Sequence, residues 1–197
     1  MNQRELQITS QTSVVSASAK TKTRRPSLED AAELLSFFQT LVKVDCNRVE
    51  RPEDVTEITL ENERNWIEKL IKKHEKGDAA ALCVFDEAEL LVGLGEVERR
   101  PRWIERHVAE LRFGLFPERF DQGLFLVRAL EKDAVAMGIE VLYYFHLRTQ
   151  TQGLRIMEAS GYRRVGVISR YYKKGTTYID RIIVEKHFNV EKSQTNS

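Results

Sequence analysis

The chain has 197 residues, 42% hydrophobic and 31% charged, which is enough apolar material for one core of ordinary domain size. Its 31 basic and 30 acidic residues leave a net charge of +1, which argues against a dedicated nucleic-acid binder. No apolar run approaches membrane-spanning length and no signal-peptide core is visible near the start; Cys46 and Cys83 have no histidine at metal-ligand spacing, so the expectation is a reducing, cytoplasmic compartment and no metal.

Residues 1–23 are rich in Ser, Thr and Gln, with little apolar periodicity, and read as a weakly ordered tail. The tail ends in a basic cluster, Lys20, Lys22, Arg24 and Arg25, which serves either as a solvated linker or as a tether for an acidic partner. Ser27 and Asp30 form a helix start, and Leu28, Ala31, Leu34, Leu35, Phe38 and Val42 continue as a helical stripe. Residues 45–58 read as a polar loop broken by Pro52. A second helix is predicted from Leu60 to Lys76, capped by Thr59, with Trp66, Ile67, Leu70 and Ile71 on its inner face.

Ala79–Phe85 and Leu90–Glu98 read as a strand hairpin around the turn at Asp86–Glu89. The segment His107–Gly138 follows, and the remaining elements are organised around it. Val108, Leu111, Phe113 and Leu115 make an apolar strand that Pro117 ends, and at Gly123 the period turns helical through Leu124, Val127, Leu130 and Ala134. A strand that feeds a turn and then a helix aims unpaired N–H groups and the positive end of a dipole at one spot, which suits a phosphate. An ordinary strand-to-helix turn that binds nothing has the same pattern.

A strand at Ile139–Leu147, a short helix at Gln150–Ala159, and a closing hairpin of Tyr162–Tyr172 with Thr177–Val184 complete the order. The expected fold class is α/β (α+β), with helices on both faces of one sheet, in a domain spanning 24–188 before a polar tail at 189–197.

From about Arg24 to His187 this order, and four of its segments, resemble the GNAT family of N-acetyltransferases. Glu110–Glu118 is similar to that family's fourth strand and its exit. Gly123 stands at the first glycine of its phosphate loop, Gly161-Tyr162 matches the Gly-Phe after its fourth helix, and Tyr172–Asp180 is similar to its closing hairpin. The resemblance implies a mixed sheet of six to seven strands, splayed between the fourth and fifth. It also implies transfer of an acetyl group from acetyl-CoA to a primary amine of a small molecule or a protein, by direct attack in a ternary complex.

On that reading the coenzyme diphosphate rests on the amides of Asp121, Gln122, Gly123, Leu124 and Phe125. The pantetheine bonds backbone groups of Leu115 and Phe116, and Gln150 stands where the family has asparagine. The loop departs from the pattern: Phe120 replaces its Arg or Gln, and Phe125 puts a ring where a small residue lets phosphate approach. Met157 stands in place of the tyrosine credited with protonating the leaving thiolate. These departures motivate the alternative of a catalytically inactive binding or regulatory module.

Tyr143, Tyr144, Tyr171 and Tyr172 are candidates to supply the missing acid. Glu110 matches the strand glutamate used as general base in some members, though it could equally pair with an arginine at a strand end. Glu96 is a weaker candidate, and His107 and His146 could relay a proton. The acidic run Glu50, Glu53, Asp54, Glu57, Glu61 and Glu63 would favour a cationic acceptor, and a homodimer is a fold-level analogy.

Overall fold

A computed structural model describes residues 21–189. The expected tails at 1–20 and 190–197 lie outside the described residues. Lys22–Arg24, assigned by composition to the tail and its border, instead form the first strand, β1, paired antiparallel with Cys83–Phe85. Of the basic cluster, Lys20 lies outside the described residues and the other three cations are consumed internally. Lys22 pairs with Glu89, Arg24 with Asp30 and Arg25 with Asp133, so these three cations hold the chain's entry to the sheet.

Asp30 accepts two hydrogen bonds from Arg24, at 2.6 and 2.7 Å, and one from the Ser27 amide at 2.7 Å. This closes a single 3-10 turn at Leu28–Asp30, from which α1 (Ala31–Val44) runs on. The expected loop at 45–58 contains a short helix, α2 (Pro52–Thr56), with Pro52 at its first turn, where a missing N–H costs nothing. Thr59 and Asn62 form a reciprocal capping box that starts α3 (Leu60–Glu75).

The sheet follows: β2 (Ala79–Phe85), β3 (Leu91–Arg99), β4 (Val108–Leu115), β5 (Val141–Leu147), β6 (Arg163–Lys174) and β7 (Thr177–His187), with α4 (Phe120–Ala136) and α5 (Thr151–Ala159) between them. The seven strands are ordered β1-β2-β3-β4-β5-β7-β6. Every pair is antiparallel except β4 with β5, which are joined by the crossover helix α4.

One face of the sheet buries Leu111 and Leu142 against Leu126, Leu130 and Ile156 of α4 and α5, and the other packs Cys83 and Leu91 under Leu34 and Leu41 of α1 and Ile67 of α3. Each fully buried leucine or isoleucine contributes about 1.5–3 kcal/mol through removal from water. Among the described residues no helix is long and apolar enough to cross a membrane.

β4 and β5 face each other only at Val108–Val141, Ala109–Leu142 and Glu110–Tyr143, although β4 continues to Leu115 and β5 to Leu147. Beyond Glu110 they diverge, and the wedge between them is the principal irregularity of the sheet.

Candidate functional site

Backbone accounting locates the unpaired groups in the wedge. The Phe116 N–H donates to the Val92 carbonyl at 3.0 Å, so Phe116, Gly114 and Arg112 present their backbone to β3. Alternation then turns the N–H and C=O of Phe113 and Leu115 into the wedge. Of the two residues expected to bond pantetheine, Leu115 has its backbone in the wedge. Phe116 does not: its carbonyl accepts from Gln152 Nε2 at 3.1 Å, while the same amide's oxygen accepts from the Glu118 N–H at 2.7 Å. Gln152 thus ties the exit of β4 to α5, a clasp the sequence does not disclose. Gln150 also has a structural duty, its side-chain oxygen accepting from the Leu147 N–H at 3.0 Å and closing the end of β5.

The helix begins earlier than periodicity indicates. Its first residue is Phe120, and the Gly123 N–H already donates to the Arg119 carbonyl at 2.9 Å. The amides of Gly123, Leu124 and Phe125 therefore belong to the helical ladder, and those of Phe120, Asp121 and Gln122 have no intrahelical acceptor. The unpaired amides begin one residue before the expected 121–125 set and overlap it only at Asp121 and Gln122.

Gly123 is required for packing. A Cβ there would lie 2.4 Å from Ile156 Cδ1 and 2.8 Å from Leu115 Cδ2, so only a bare Cα lets α4 sit on β4 and α5. Phe125 is 43% exposed, its ring outside the core. Phe120 packs on the core instead, and the Arg155 guanidinium lies 5.3 Å over its ring. Arg119 is drawn to Asp86 at 3.2 Å. Arg155 has no carboxylate partner among the described residues, which leaves it as a free cation beside the start of α4.

Two cavities flank this wedge. One, of about 330 Å³, is lined by Leu115, Tyr144, Gln150 and Gly153 and by Cys46 from the loop after α1. The other, of about 490 Å³, lies between α1, α3 and the sheet, with Phe37, Phe38 and Trp66 as apolar walls and Glu63, Glu96 and Arg112 as polar ones. Arg48 and Phe113 line both. Of the acidic run, Glu50 and Glu63 reach the larger cavity.

Glu96 sits on the β3 side of that cavity, its side chain 18% exposed and 3.0 Å from Arg112. Burial raises its pKa above the ordinary carboxylate range, and Arg112 pulls against that shift. Burial likewise raises the Glu63 carboxyl, which has no ion-pair partner among the described residues. Glu110 lies at the last position where β4 pairs with β5, where it accepts from the Tyr143 hydroxyl at 3.2 Å and lies 3.9 Å from Arg100; it lines neither cavity.

His146 is buried, with Nδ1 2.9 Å from the Leu147 carbonyl, and burial lowers its pKa. His107 is at the far end of β4, its carbonyl accepting from Val141. Met157 is wholly buried in the core. Tyr144 alone of the four candidate tyrosines lines the smaller cavity, beside Gly153. It is 6% exposed, its hydroxyl has no hydrogen-bond partner among the described residues, and burial pushes its pKa far up.

The arrangement offers a strand edge for an amide-bearing chain, helix-terminal N–H groups for an anion, and a carboxylate-lined chamber that meets the wedge at one arginine. The sequence profile of the acetyltransferase (GNAT) domain matches residues 24–183. No curated protein sequence matches significantly. Among solved structures, the chain is similar to a GNAT-family acetyltransferase from Streptococcus pneumoniae, with 18% identity, a TM-score of 0.74, and coverage of 86% of this chain and 100% of that one. It is also similar to a GNAT superfamily phosphinothricin acetyltransferase from Sinorhizobium meliloti, solved in complex with acetyl-CoA (13%, TM-score 0.73, 90% and 93% covered). A ribosomal-protein-alanine N-acetyltransferase from Brucella melitensis shares the fold at 19% identity and a TM-score of 0.70, with 85% and 99% covered.

Proposed function

The chain belongs to the GNAT acetyltransferase family, and from that premise we propose that it transfers the acetyl group of acetyl-CoA to a primary amine by direct attack within a ternary complex. The observation that carries this reading is the meeting of two cavities at Arg48 and Phe113, one running along the open edge of β4 and the other holding a buried carboxylate.

The pantetheine chain of acetyl-CoA pairs with the free N–H and C=O groups of Phe113 and Leu115, as an added strand would. Its diphosphate rests on the amides of Phe120, Asp121 and Gln122, with Arg155 supplying the positive charge that the loop lacks. The helix dipole adds to both. Holding the thioester beside the acceptor chamber provides proximity, which can contribute about 7–11 kcal/mol to the lowering of a bimolecular barrier.

The acceptor enters the larger cavity. Phe37, Phe38 and Trp66 favour an amine carried on an apolar body, and Glu63 at the wall attracts its positive charge during entry. Glu96 takes the proton that frees the nitrogen lone pair; a carboxylate raised by burial is better matched to that task than an exposed one. Tyr144 stays protonated at every working pH and donates a hydrogen bond to the departing thiolate. With ordinary thiols near pKa ~8.5, a donor suffices and full protonation is not required. No cysteine or serine in the site has an adjacent base, so no acetyl-enzyme intermediate is invoked. Both free thiols suit the reducing cytoplasm in which we place the protein.

The test is a thermal-shift titration with acetyl-CoA and CoA, followed by a coupled thiol-release assay over an amine panel that includes alkylamines, arylalkylamines, polyamines and N-terminal peptides. Binding to the native state must raise the melting temperature, by an amount set by RT ln(1 + [L]/Kd). A flat titration together with no thiol release from any amine overturns the assignment and leaves an inactive domain of this fold.

A further inference from the structure

Arg48 is the one charged residue on the walls of both cavities. Its side chain is only 13% exposed, and one nitrogen is committed, Nε donating to Glu50 Oε2 at 3.1 Å. The two terminal nitrogens, Nη1 and Nη2, have no acceptor among the described residues. They lie over Gly114 of β4, each 3.8 Å from the position a Cβ would take there, and that same Cβ would strike Leu41 at 2.8 Å. A Cβ at 114 would thus be in ordinary contact with the guanidinium, and it is Leu41 that leaves no room for it. An arginine from the loop after α1 therefore lies over β4 at Gly114, beside the junction of the two cavities.

Resting on the acetyl-transfer reading, we propose that Arg48 binds the thioester carbonyl oxygen and stabilises the oxyanion of the tetrahedral intermediate. The amine nitrogen attacks the carbonyl carbon and forms the C–N bond while the C=O electron pair moves onto oxygen. That oxygen receives the Nη hydrogens of Arg48. Collapse restores C=O, breaks the C–S bond and expels the CoA thiolate, which takes up the second proton as the acylated nitrogen sheds it; the first, from the ammonium, already sits on Glu96. The Glu50 carboxylate holds Nε, which leaves the two terminal nitrogens of a residue on both cavity walls to donate, and such anchoring is the preorganisation an oxyanion donor needs. A guanidinium there also disfavours the ammonium form of the nearby amine, which helps the reactive neutral form.

The test uses the full chain with Arg48→Met and Arg48→Lys. The expected result for Arg48→Met is a fall in kcat of about 10²–10³-fold, the usual effect of removing one oxyanion donor, with the acceptor KM and the acetyl-CoA Kd each changed less than threefold. Arg48→Lys keeps the charge without the fork and should lose at least tenfold in kcat. A second readout needs no turnover: the carbonyl stretch of acetyl-CoA labelled with carbon-13 at the acetyl carbonyl should shift to lower wavenumber on binding to the wild-type chain, and that shift should vanish in Arg48→Met. If Arg48→Met does not fold, the same two measurements on Arg48→Lys decide the matter.

An unchanged kcat with an unchanged carbonyl frequency overturns the proposal. A rise in acceptor KM alone overturns it too, making Arg48 an acceptor-binding group. A wild-type chain that binds no acetyl-CoA overturns the underlying reading and this proposal with it; a wild-type chain that binds and reacts while its Arg48 variants keep their rate overturns this proposal alone.

Discussion

Arg112 holds the half-buried Glu96 carboxylate at 3.0 Å on the wall of the larger cavity, directly across from it in the β3–β4 register. The pair is a tuned acid. Burial raises the Glu96 pKa and Arg112 lowers it, so the acidic limb of kcat/KM should follow their balance. Activity should rise with pH as Glu96 loses its proton. Arg112→Met removes the lowering influence, so that limb should move to higher pH. Glu96→Gln should cut kcat by about 10²–10⁴-fold. Glu110→Gln is the control, since Glu110 lies off both cavities; a pH–rate profile that shifts in Glu110→Gln and not in Glu96→Gln would return the base role to Glu110.

Gly123→Ala should destabilise the fold. Alanine gains about 1 kcal/mol of helix propensity over glycine. The new methyl would stand 2.4 Å from Ile156 Cδ1, a side chain that is itself fully buried, and overpacking of this kind costs about 1–3 kcal/mol. The expected net is a loss of up to about 2 kcal/mol, read as a lowered urea midpoint at constant m-value. A gain in stability would mean that α4 can slide away from Leu115.

Arg155→Ala should raise the Kd for acetyl-CoA by about tenfold at low salt, the effect of losing one charge-assisted contact to phosphate. The wild-type affinity should fall with added salt more steeply than that of the variant, because a partly exposed pairing is screened. Titration calorimetry at two ionic strengths compares them. Equal slopes would remove Arg155 from the diphosphate site.

Gln152→Ala unties the exit of β4 from α5, removing the bonds to the Phe116 carbonyl and the Glu118 amide. Each is worth about 0.5–1.5 kcal/mol. Glu118 holds φ of +63°, a left-handed conformation that a non-glycine residue adopts only under constraint. The variant should lose a few degrees in Tm and bind acetyl-CoA several-fold more weakly. Faster hydrogen exchange at 116–120 would identify the cause as local loosening.

Asp30 should give the fold an acid-sensitive element. Arg24 hydrogen-bonds its carboxylate and, helped by the Ser27 amide, lowers its pKa from 3.8 to about 2. The folded value is depressed, so this stabilisation is complete above the unfolded pKa and is lost as pH falls from about 4 to about 2. The shift corresponds to roughly 2 kcal/mol before screening, and about 1 kcal/mol once the half-exposed Arg24 is discounted. Asp30→Asn should flatten the pH dependence of ΔG in that window, measured by denaturant titration.

The long elements were legible because their periods are unambiguous. Thr59 announces α3, and Ala79–Phe85 reads as a strand from its apolar run. The misreadings have local causes. Lys22–Arg24 look like a tail because a short edge strand has no apolar pattern of its own; its pairing is supplied by Cys83–Phe85 and its ion pairs by Asp30 and Glu89. The helix start at Phe120 was hidden because its apolar stripe becomes visible only at Gly123, one turn later. Gly123 drew attention as a phosphate-loop glycine, while its spatial role is to admit Ile156 and Leu115, which are remote in sequence.

Periodicity and turn chemistry, which act within one element and its neighbours, determined the sheet with helices on both faces. The family, and the divergence of the fourth and fifth strands that it implies, came from the resemblance of four short segments. The tertiary structure decided which polar groups face the wedge and the chamber. Arg48, Glu96, Tyr144 and Arg155 come from four separate segments, and no spacing rule relates them. Their direction is set by strand register, by helix packing around glycines and by competing ion pairs, such as the one that draws Arg119 to Asp86. Those quantities exist only once distant segments are in contact.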